Sequence, residues 1–406
     1  MSAANRKTSI EKPIAVALLS GGKDRPYFFG LATSLMSKGA TLDLIGNEEL
    51  DFPEFHGRRH VDFLDLGGVL RPEVSFTRKV GRLLSYYAKL MRYAATAQPE
   101  IFHILWNYRF PLFDRTFLML YYRFLGKRVV HTAHNVNGGR RDGRDSRLNR
   151  LTLRIQYGLC HHIFVHTEKM KRELVEDFGV QPARVTVIPF GINNSVPNTG
   201  LTPAQARERL NIPEGKKTIL FFGRIQPRKG LEFAVEAFKQ ISARNDDYRL
   251  IIAGRPDKCK QYWAALTDSM REAVRRGQIL LRAEVIPDEE TEVYFKVADV
   301  LVLPYREIFQ SGVLFLGYNF GLPVIASDVG SLRDDIVEGK TGFLSKPCDA
   351  VSLGEAIERY FKSDLFETLN HRRMEIRDYA HARHSWDAVG QMTRGVYEKL
   401  LERDRS

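Results

Sequence analysis

Arg224, Arg228 and Lys229 crowd a single loop, entered from the apolar run "TILFFG" through Gly223 and left at Gly230 for the stretch "LEFAVEAFKQIS". Leu231, Ala234, Phe238 and Ile241 recur at helical spacing, which predicts a helix with one face on a sheet and its first turn at the loop. Free amides at a helix start add to the charge of nearby cations, and together they favour a phosphate or diphosphate. Taken alone, the same three cations also fit an ordinary solvated loop, and both readings stay open.

Three further constellations carry polar chemistry. In "VALLSGGKDRPYFFG" the pair Gly21-Gly22 follows an apolar strand and permits close backbone approach to a ligand, or simply a turn. It is neither a Walker A loop nor a G-x-G-x-x-G fingerprint. In "RVVHTAHNVNGG" His131 and His134 end a strand, where a histidine can donate hydrogen bonds or shuttle protons near neutral pH, or be a structural residue. Metal ligation is not indicated, because the carboxylates a hard site needs are missing nearby. In "ADVLVLPYREIFQSGVLFLGYNFGLPVIASDVG" a loop carries Glu307 and Gln310, able to accept from sugar or ribose hydroxyls, before Ser311, Gly312 and Val313 open a helix. Those loop residues can equally do no more than cap that helix.

The elements that must position these residues are legible as short apolar runs, among them "PIAVALLS", "IFHILW", "RVVHTA", "TILFFG", "YRLIIAG" and "VLVLPY", separated by helical patterns. Strands buried on both faces read this way in parallel sheets with crossover helices. The chain has 406 residues, and at about 150 residues per domain that suggests two doubly wound α/β domains. The boundaries expected are 1–192 for the first domain, 193–215 for a Pro/Gly/Asn-rich linker, 216–380 for the second domain and 381–406 for a terminal helix. Ligands of open α/β sheets sit beyond the carboxyl ends of the strands, so two facing sheets would make a cleft.

Composition excludes several classes. Cys160, Cys259 and Cys348 stand far apart without C-x-x-C spacing, so neither a zinc site nor a disulfide framework is indicated. No run approaches the roughly 18 unbroken apolar residues of a membrane span, and the first twelve residues are polar, so a cytoplasmic location is expected. The net charge of +12 is lopsided: residues 1–200 hold 29 Lys/Arg against 18 Asp/Glu, the remainder 32 against 31. Within that half, Arg78, Lys79, Arg82, Lys89 and Arg92 alternate with Leu83, Leu84, Tyr87, Leu90 and Met91, and 138–150 adds cations. This pattern fits a helix on the anionic inner face of the plasma membrane, or equally a core-packed helix with solvated charges. A nucleic-acid partner is not expected, since the basic residues lack interleaved aromatics on a recognisable module.

In this order, the Gly-Gly loop, the strand-end His, "GRIQPRKG", "ADVLVLPY", "GLPVIASDVG" and the late "SW" resemble the family-4 retaining glycosyltransferases of the GT-B fold, of the bacterial polysaccharide and glycolipid type. The resemblance covers nearly the whole chain and is weakest over 50–100. It implies two Rossmann-like domains facing across a cleft, with a C-terminal helix returning to the first. The donor would be a nucleoside-diphosphate sugar, the acceptor a saccharide or lipid-linked, with no metal and no cofactor. Arg224 and Lys229 would hold the diphosphate and His134 the donor sugar, as catalytic residues. Gly21, Gly22, Gly223, Glu307, Gln310, Ser311, Gly312 and Val313 would line the donor. One departure stands out: many members carry two glutamates eight residues apart, whereas here Phe315 lies eight after Glu307 and Leu316 falls at the second position by alignment on "GLPVIAS". A nucleotide-sugar epimerase of the same architecture is the alternative, and a basic nucleic-acid-binding protein a more distant one.

Overall fold

The computed structural model describes residues 13–21, 24–67, 76–141, 143, 145–194 and 196–402, with side chains left out at 76, 77, 79 and 141. The chain folds as two compact units: one takes the residues up to Arg140, 144–188 and those from Trp386 on, the other 141–143 and 189–385.

The first unit holds a seven-stranded sheet: β1 (Ala15–Ser20), β2 (Thr41–Gly46), β3 (Val61–Asp65), β4 (Ile101–Trp106), β5 (Arg128–Thr132), β6 (His162–Val165) and β7 (Val185–Val187). Its order is β3-β2-β1-β4-β5-β6-β7, every pairing parallel. Strand order reverses between β1 and β4, so the crevice for a ligand lies past their carboxyl ends. Right-handed crossovers decide which face each helix covers. The steps from β3 to β4, β5 and β6 all run toward one edge, so helices Phe76–Thr96, Pro111–Arg115, Phe117–Phe124 and Arg147–Leu159 share a face. The step from β1 to β2 runs the other way and lays Arg25–Ser37 on the opposite face.

That opposite face is completed by the chain's last helix, Trp386–Glu402. Gly30 leaves room for the Trp386 indole, which a Cβ there would strike. Ser34 donates to the Trp386 carbonyl at 2.6 Å and Lys38 pairs with Asp387 at 2.7 Å. Tyr397 lies 2.6 Å from His103 Nδ1 in the core.

The second unit holds β8 (Lys217–Phe222), β9 (Tyr248–Ala253), β10 (Ile279–Arg282), β11 (Val300–Leu303), β12 (Val324–Ser327) and β13 (Gly342–Ser345), ordered β10-β9-β8-β11-β12-β13 and again all parallel. Its reversal lies between β8 and β11. Inside the stretch expected as linker, Thr202 and Gln205 form a capping box that starts helix Pro203–Arg209.

The membrane reading of the helix that begins at Phe76 needs correction. Tyr86, Tyr87, Leu90 and Ala94 are buried, and Tyr87 packs edge-on to Phe113 and bonds Asp114 at 2.6 Å. The stripe read as bilayer-facing is, at Tyr87 and Leu90, core: a helix lying on its sheet and one lying on a membrane share the same period, so periodicity alone does not separate them. Among the described residues no helix is long and apolar enough to cross a membrane.

Candidate functional site

In the second unit both loops at the strand-order reversal converge. Gly230, in the left-handed region at φ 64, starts helix Leu231–Ser242 without a side-chain cap. A Cβ at this glycine would strike the Pro304 carbonyl, so the loop after β8 lies directly on the loop after β11. Leu231, Ala234, Phe238 and Ile241 are all buried. The Arg306 amide donates to the Arg228 carbonyl at 2.9 Å, and the Arg306 guanidinium reaches Glu232, also at 2.9 Å.

The three cations separate by role. Arg228 is tied into the loop, its Nε donating to Gln226 at 2.9 Å while Gln226 donates to Asp257 at 2.8 Å. Arg224 is exposed. Lys229 is only 8% exposed, with its ammonium 5.3 Å from the Tyr305 ring centre. A Cβ on Gly223 would come 3.1 Å from Lys229 Nζ and 3.3 Å from Val313. Strand end, Lys229 ammonium and the first turn of helix Gly312–Asn319 therefore share one spot. Among the described residues no carboxylate lies within 4.0 Å of Arg224 or Lys229. A lysine held in such a spot without a counter-ion offers its charge to an incoming anion.

Around that spot Ser311 caps its helix, accepting from the Leu314 amide at 3.4 Å, so its hydroxyl is occupied structurally, while the amides of Gly312 and Val313 precede the first intrahelical acceptor. Glu307 is exposed. Gln310 is half-buried, and its buried Oε1 accepts no hydrogen bond within the protein. The position aligned with a second glutamate is apolar: Leu316 is buried, and Phe315 stacks on Phe190 at 5.3 Å and packs tilted against the His384 ring at 4.4 Å.

In the first unit the reversal is equally tight. A Cβ on Gly21 would strike the Asn107 carbonyl, and the Gly21 amide donates to the Trp106 carbonyl at 3.1 Å. Gly22 lies outside the described residues. His134 is buried, stacked on Trp106 with ring centres 4.4 Å apart and edge-on to Tyr27 at 4.5 Å. Its Nδ1 lies 3.1 Å from His166 Nε2, and His166 Nδ1 lies 3.3 Å from the Ile188 carbonyl. A carbonyl only accepts, so His166 donates from Nδ1 and accepts at Nε2, and His134 donates from Nδ1, which leaves its Nε2 an acceptor. Burial, and then His166 alongside, hold the His134 pKa well below the usual 6.5. Of the roles held open for this residue, burial disfavours the charged ring that a proton shuttle near neutral pH needs, which leaves hydrogen bonding or a structural role. His131 is likewise pushed down by burial, to about 4, its Nδ1 facing the Ile104 carbonyl at 2.9 Å.

Sequence reasoning missed Tyr27, Trp106 and His166 around His134, and Tyr305 beneath Lys229. The available signal was their position at or just past a strand's carboxyl end, or in the helix that follows it. Among the described residues no three His, Cys, Asp or Glu side chains gather as a metal site.

Comparison with known proteins bears on both sheets. A glycosyltransferase family 4 model matches residues 27–196, and a model of group 1 glycosyl transferases matches 216–363. The D-inositol 3-phosphate glycosyltransferase of Corynebacterium diphtheriae is 28% identical over 284 residues, 66% of this chain and 64% of that protein. The match thus spans a little under two thirds of that relative's own length. Sucrose-phosphate synthase from Thermosynechococcus elongatus superposes with a TM-score of 0.75 at 18% identity, covering 97% of this chain and 100% of that one. Anabaena HepE, in complex with UDP and glucose, gives 0.73 at 14% identity, over 95% and 100%.

Proposed function

Since the chain belongs to the family-4 glycosyltransferases of the GT-B fold, we propose that it is a hexosyltransferase, moving a sugar from a nucleoside-diphosphate donor to a saccharide or lipid-linked acceptor with retention of anomeric configuration. The reading extends to polysaccharide or glycolipid assembly at the inner face of an anionic membrane.

In this mechanism the bond from the anomeric carbon to the diphosphate breaks while the acceptor hydroxyl bonds to the same carbon from the same face. The hydroxyl's proton passes to an oxygen of the leaving diphosphate, so no carboxylate base is needed. Charge develops on the diphosphate, and Lys229, Arg224 and the amides of Gly312 and Val313 are the groups placed to receive it. Two cations and a helix start serve the purpose a metal would otherwise serve. Gly223 leaves the diphosphate room beside Lys229, and Gln310 and Glu307 accept from donor hydroxyls, taking over where the second glutamate is absent. In the first unit, His134 is the residue proposed to accept a sugar hydroxyl, at Nε2.

The observation that carries this reading is Lys229: a largely buried lysine whose ammonium, without a carboxylate, stands at the strand-order reversal of a parallel sheet. The test is release of nucleoside diphosphate from a panel of activated sugars, with and without acceptor. Release that needs acceptor supports transfer, and turnover of the sugar without release supports an epimerase instead. Arg224→Ala is expected to lower kcat/KM by at least ~10²-fold, the scale of one lost oxyanion donor.

A further inference from the structure

Three strand ends place a second histidine beside His134. In the sheet of the first unit Thr132 pairs with Phe164, and Phe164 with Thr186. Extended by two residues, to the next position on the same side of each strand, that register brings His134, His166 and Ile188 into one row. Main-chain bonds hold the row: the Ala133 amide donates to the Phe164 carbonyl and the Ile188 amide to the Val165 carbonyl, both at 2.8 Å. Directly after His166, Thr167 caps helix Glu168–Phe178, accepting from the Met170 amide at 3.1 Å. His166 is thus anchored on both sides along the chain, and its side chain is buried.

That side chain links the other two members of the row. Its Nδ1 lies 3.3 Å from the Ile188 carbonyl and its Nε2 lies 3.1 Å from His134 Nδ1. The carbonyl only accepts, which puts the hydrogen of each neutral ring on Nδ1 and leaves a lone pair on His134 Nε2. Two further rings keep the His134 plane from tilting: Trp106 lies parallel to it within 6°, and Tyr27 stands across it at 89°. A flip of the ring within that plane would turn a carbon toward His166 and lose the bond. Burial, with His166, His131 and His103 as neighbours, disfavours the charged ring. A carboxylate in the place of His166 would draw His134 toward its charged form, whereas an imidazole leaves it neutral.

We propose that His166 is a positioning residue, which holds the lone pair of His134 Nε2 toward the donor sugar, so that the sugar group bound there must bring a hydrogen to donate. The identity of the ligand rests on the transferase reading above; the relay itself does not. A hydroxyl satisfies the lone pair. A group with lone pairs only, such as a carboxylate, a carbonyl or fluorine, meets it with repulsion and gains no bond. His134 alone would not make this selection, because a neutral imidazole released from His166 can carry its hydrogen on Nε2 and take either kind of group.

The relay is read by nitrogen NMR on the full chain with isotopically labelled histidine, at neutral pH and without ligand. The His134 signals are identified by their absence from His134→Gln. Wild type should show the hydrogen on Nδ1 of His134 and none on Nε2. In His166→Phe, which keeps a ring and removes the acceptor, Nε2 should become protonated in a measurable fraction of molecules. His166→Gln, whose amide can accept from His134 and donate to the Ile188 carbonyl, should restore the wild-type spectrum. If His166→Phe folds poorly, as a lowered Tm would show, His166→Leu is read in its place. Calorimetry with UDP-glucose, GDP-mannose and ADP-glucose then selects a donor, and its monofluoro analogues replace one free hydroxyl at a time. At one position fluorine should weaken wild-type binding at least ~10-fold, and His166→Phe should shrink that loss at least ~3-fold while the other positions keep theirs. A wild-type His134 protonated on Nε2 overturns the proposal. So does a His166→Phe spectrum identical to wild type, or a fluorine series that the substitution leaves unchanged at every position. Wild type that binds none of the three activated sugars strikes the transferase reading instead, and the spectrum then decides the relay by itself.

Discussion

Replacing Lys229 by Met separates binding from folding at one side chain. The two residues have similar length and stem, so packing on Tyr305 is largely kept while the charge goes. Lys229 as a residue is 8% exposed, and its ammonium has, among the described residues, no carboxylate within 4.0 Å and lies 5.3 Å from the Tyr305 ring centre. A cation–π contact returns roughly 0.5–2 kcal/mol, whereas desolvating an ammonium costs several. With the ammonium only partly desolvated, the variant should be at least as stable as wild type, its Tm no lower and shifted by no more than roughly 2–4 °C for a unit this size. Its kcat/KM for donor should fall at least ~10²-fold. Calorimetry without ligand gives the first number and steady-state kinetics the second. Adding donor should raise the Tm of wild type more than that of the variant, because only a ligand that binds the native state stabilises it. Lower Tm together with lost activity would mean that Lys229 is a structural residue, and normal activity would mean that it does not meet the diphosphate.

Other perturbations test separate parts of the molecule. Trp386→Ala should cost roughly 3–5 kcal/mol, since a buried indole fitted against Gly30 leaves a cavity; urea unfolding that matches wild type refutes the packing. Leu316→Glu places a carboxylate at a buried position among apolar neighbours, so it should lower Tm and leave donor affinity no better; a stable variant with tighter donor binding would show that the position still reaches ribose. Burial raises the Asp335 carboxyl from 3.8 to about 7. The native state then keeps a proton that the unfolded chain has lost, and stability falls as pH rises through that window. Asp335→Asn should therefore gain Tm relative to wild type between pH 5 and pH 8, and a constant difference would contradict the assignment.

Much of the fold was legible because parallel strands buried on both faces leave unbroken apolar runs, as at "TILFFG" and "RVVHTA", and because Leu231, Ala234, Phe238 and Ile241 keep a single period. The glycines around which the site is built were legible too, since close backbone approach leaves few alternatives. The state of His134 was not: the rings that bury it, Tyr27, Trp106 and His166, arrive from the first helix, from β4 and from the end of β6, and their meeting is a tertiary fact. At Tyr87 and Leu90 an amphipathic period was clear but did not say what covered it. Division of labour among Arg224, Arg228 and Lys229 depends on partners such as Gln226 and Tyr305, which spacing does not specify.

Sugar transfer by this chain stands or falls with a pyrophosphoryl group seated where β8 ends. A crystal structure with an intact or hydrolysed nucleoside-diphosphate sugar tests that seat most directly. Diphosphate oxygens are expected about 3 Å from Lys229 Nζ and from the Gly312 or Val313 amide. Ligand bound elsewhere, with Lys229 still facing only Tyr305, would contradict it.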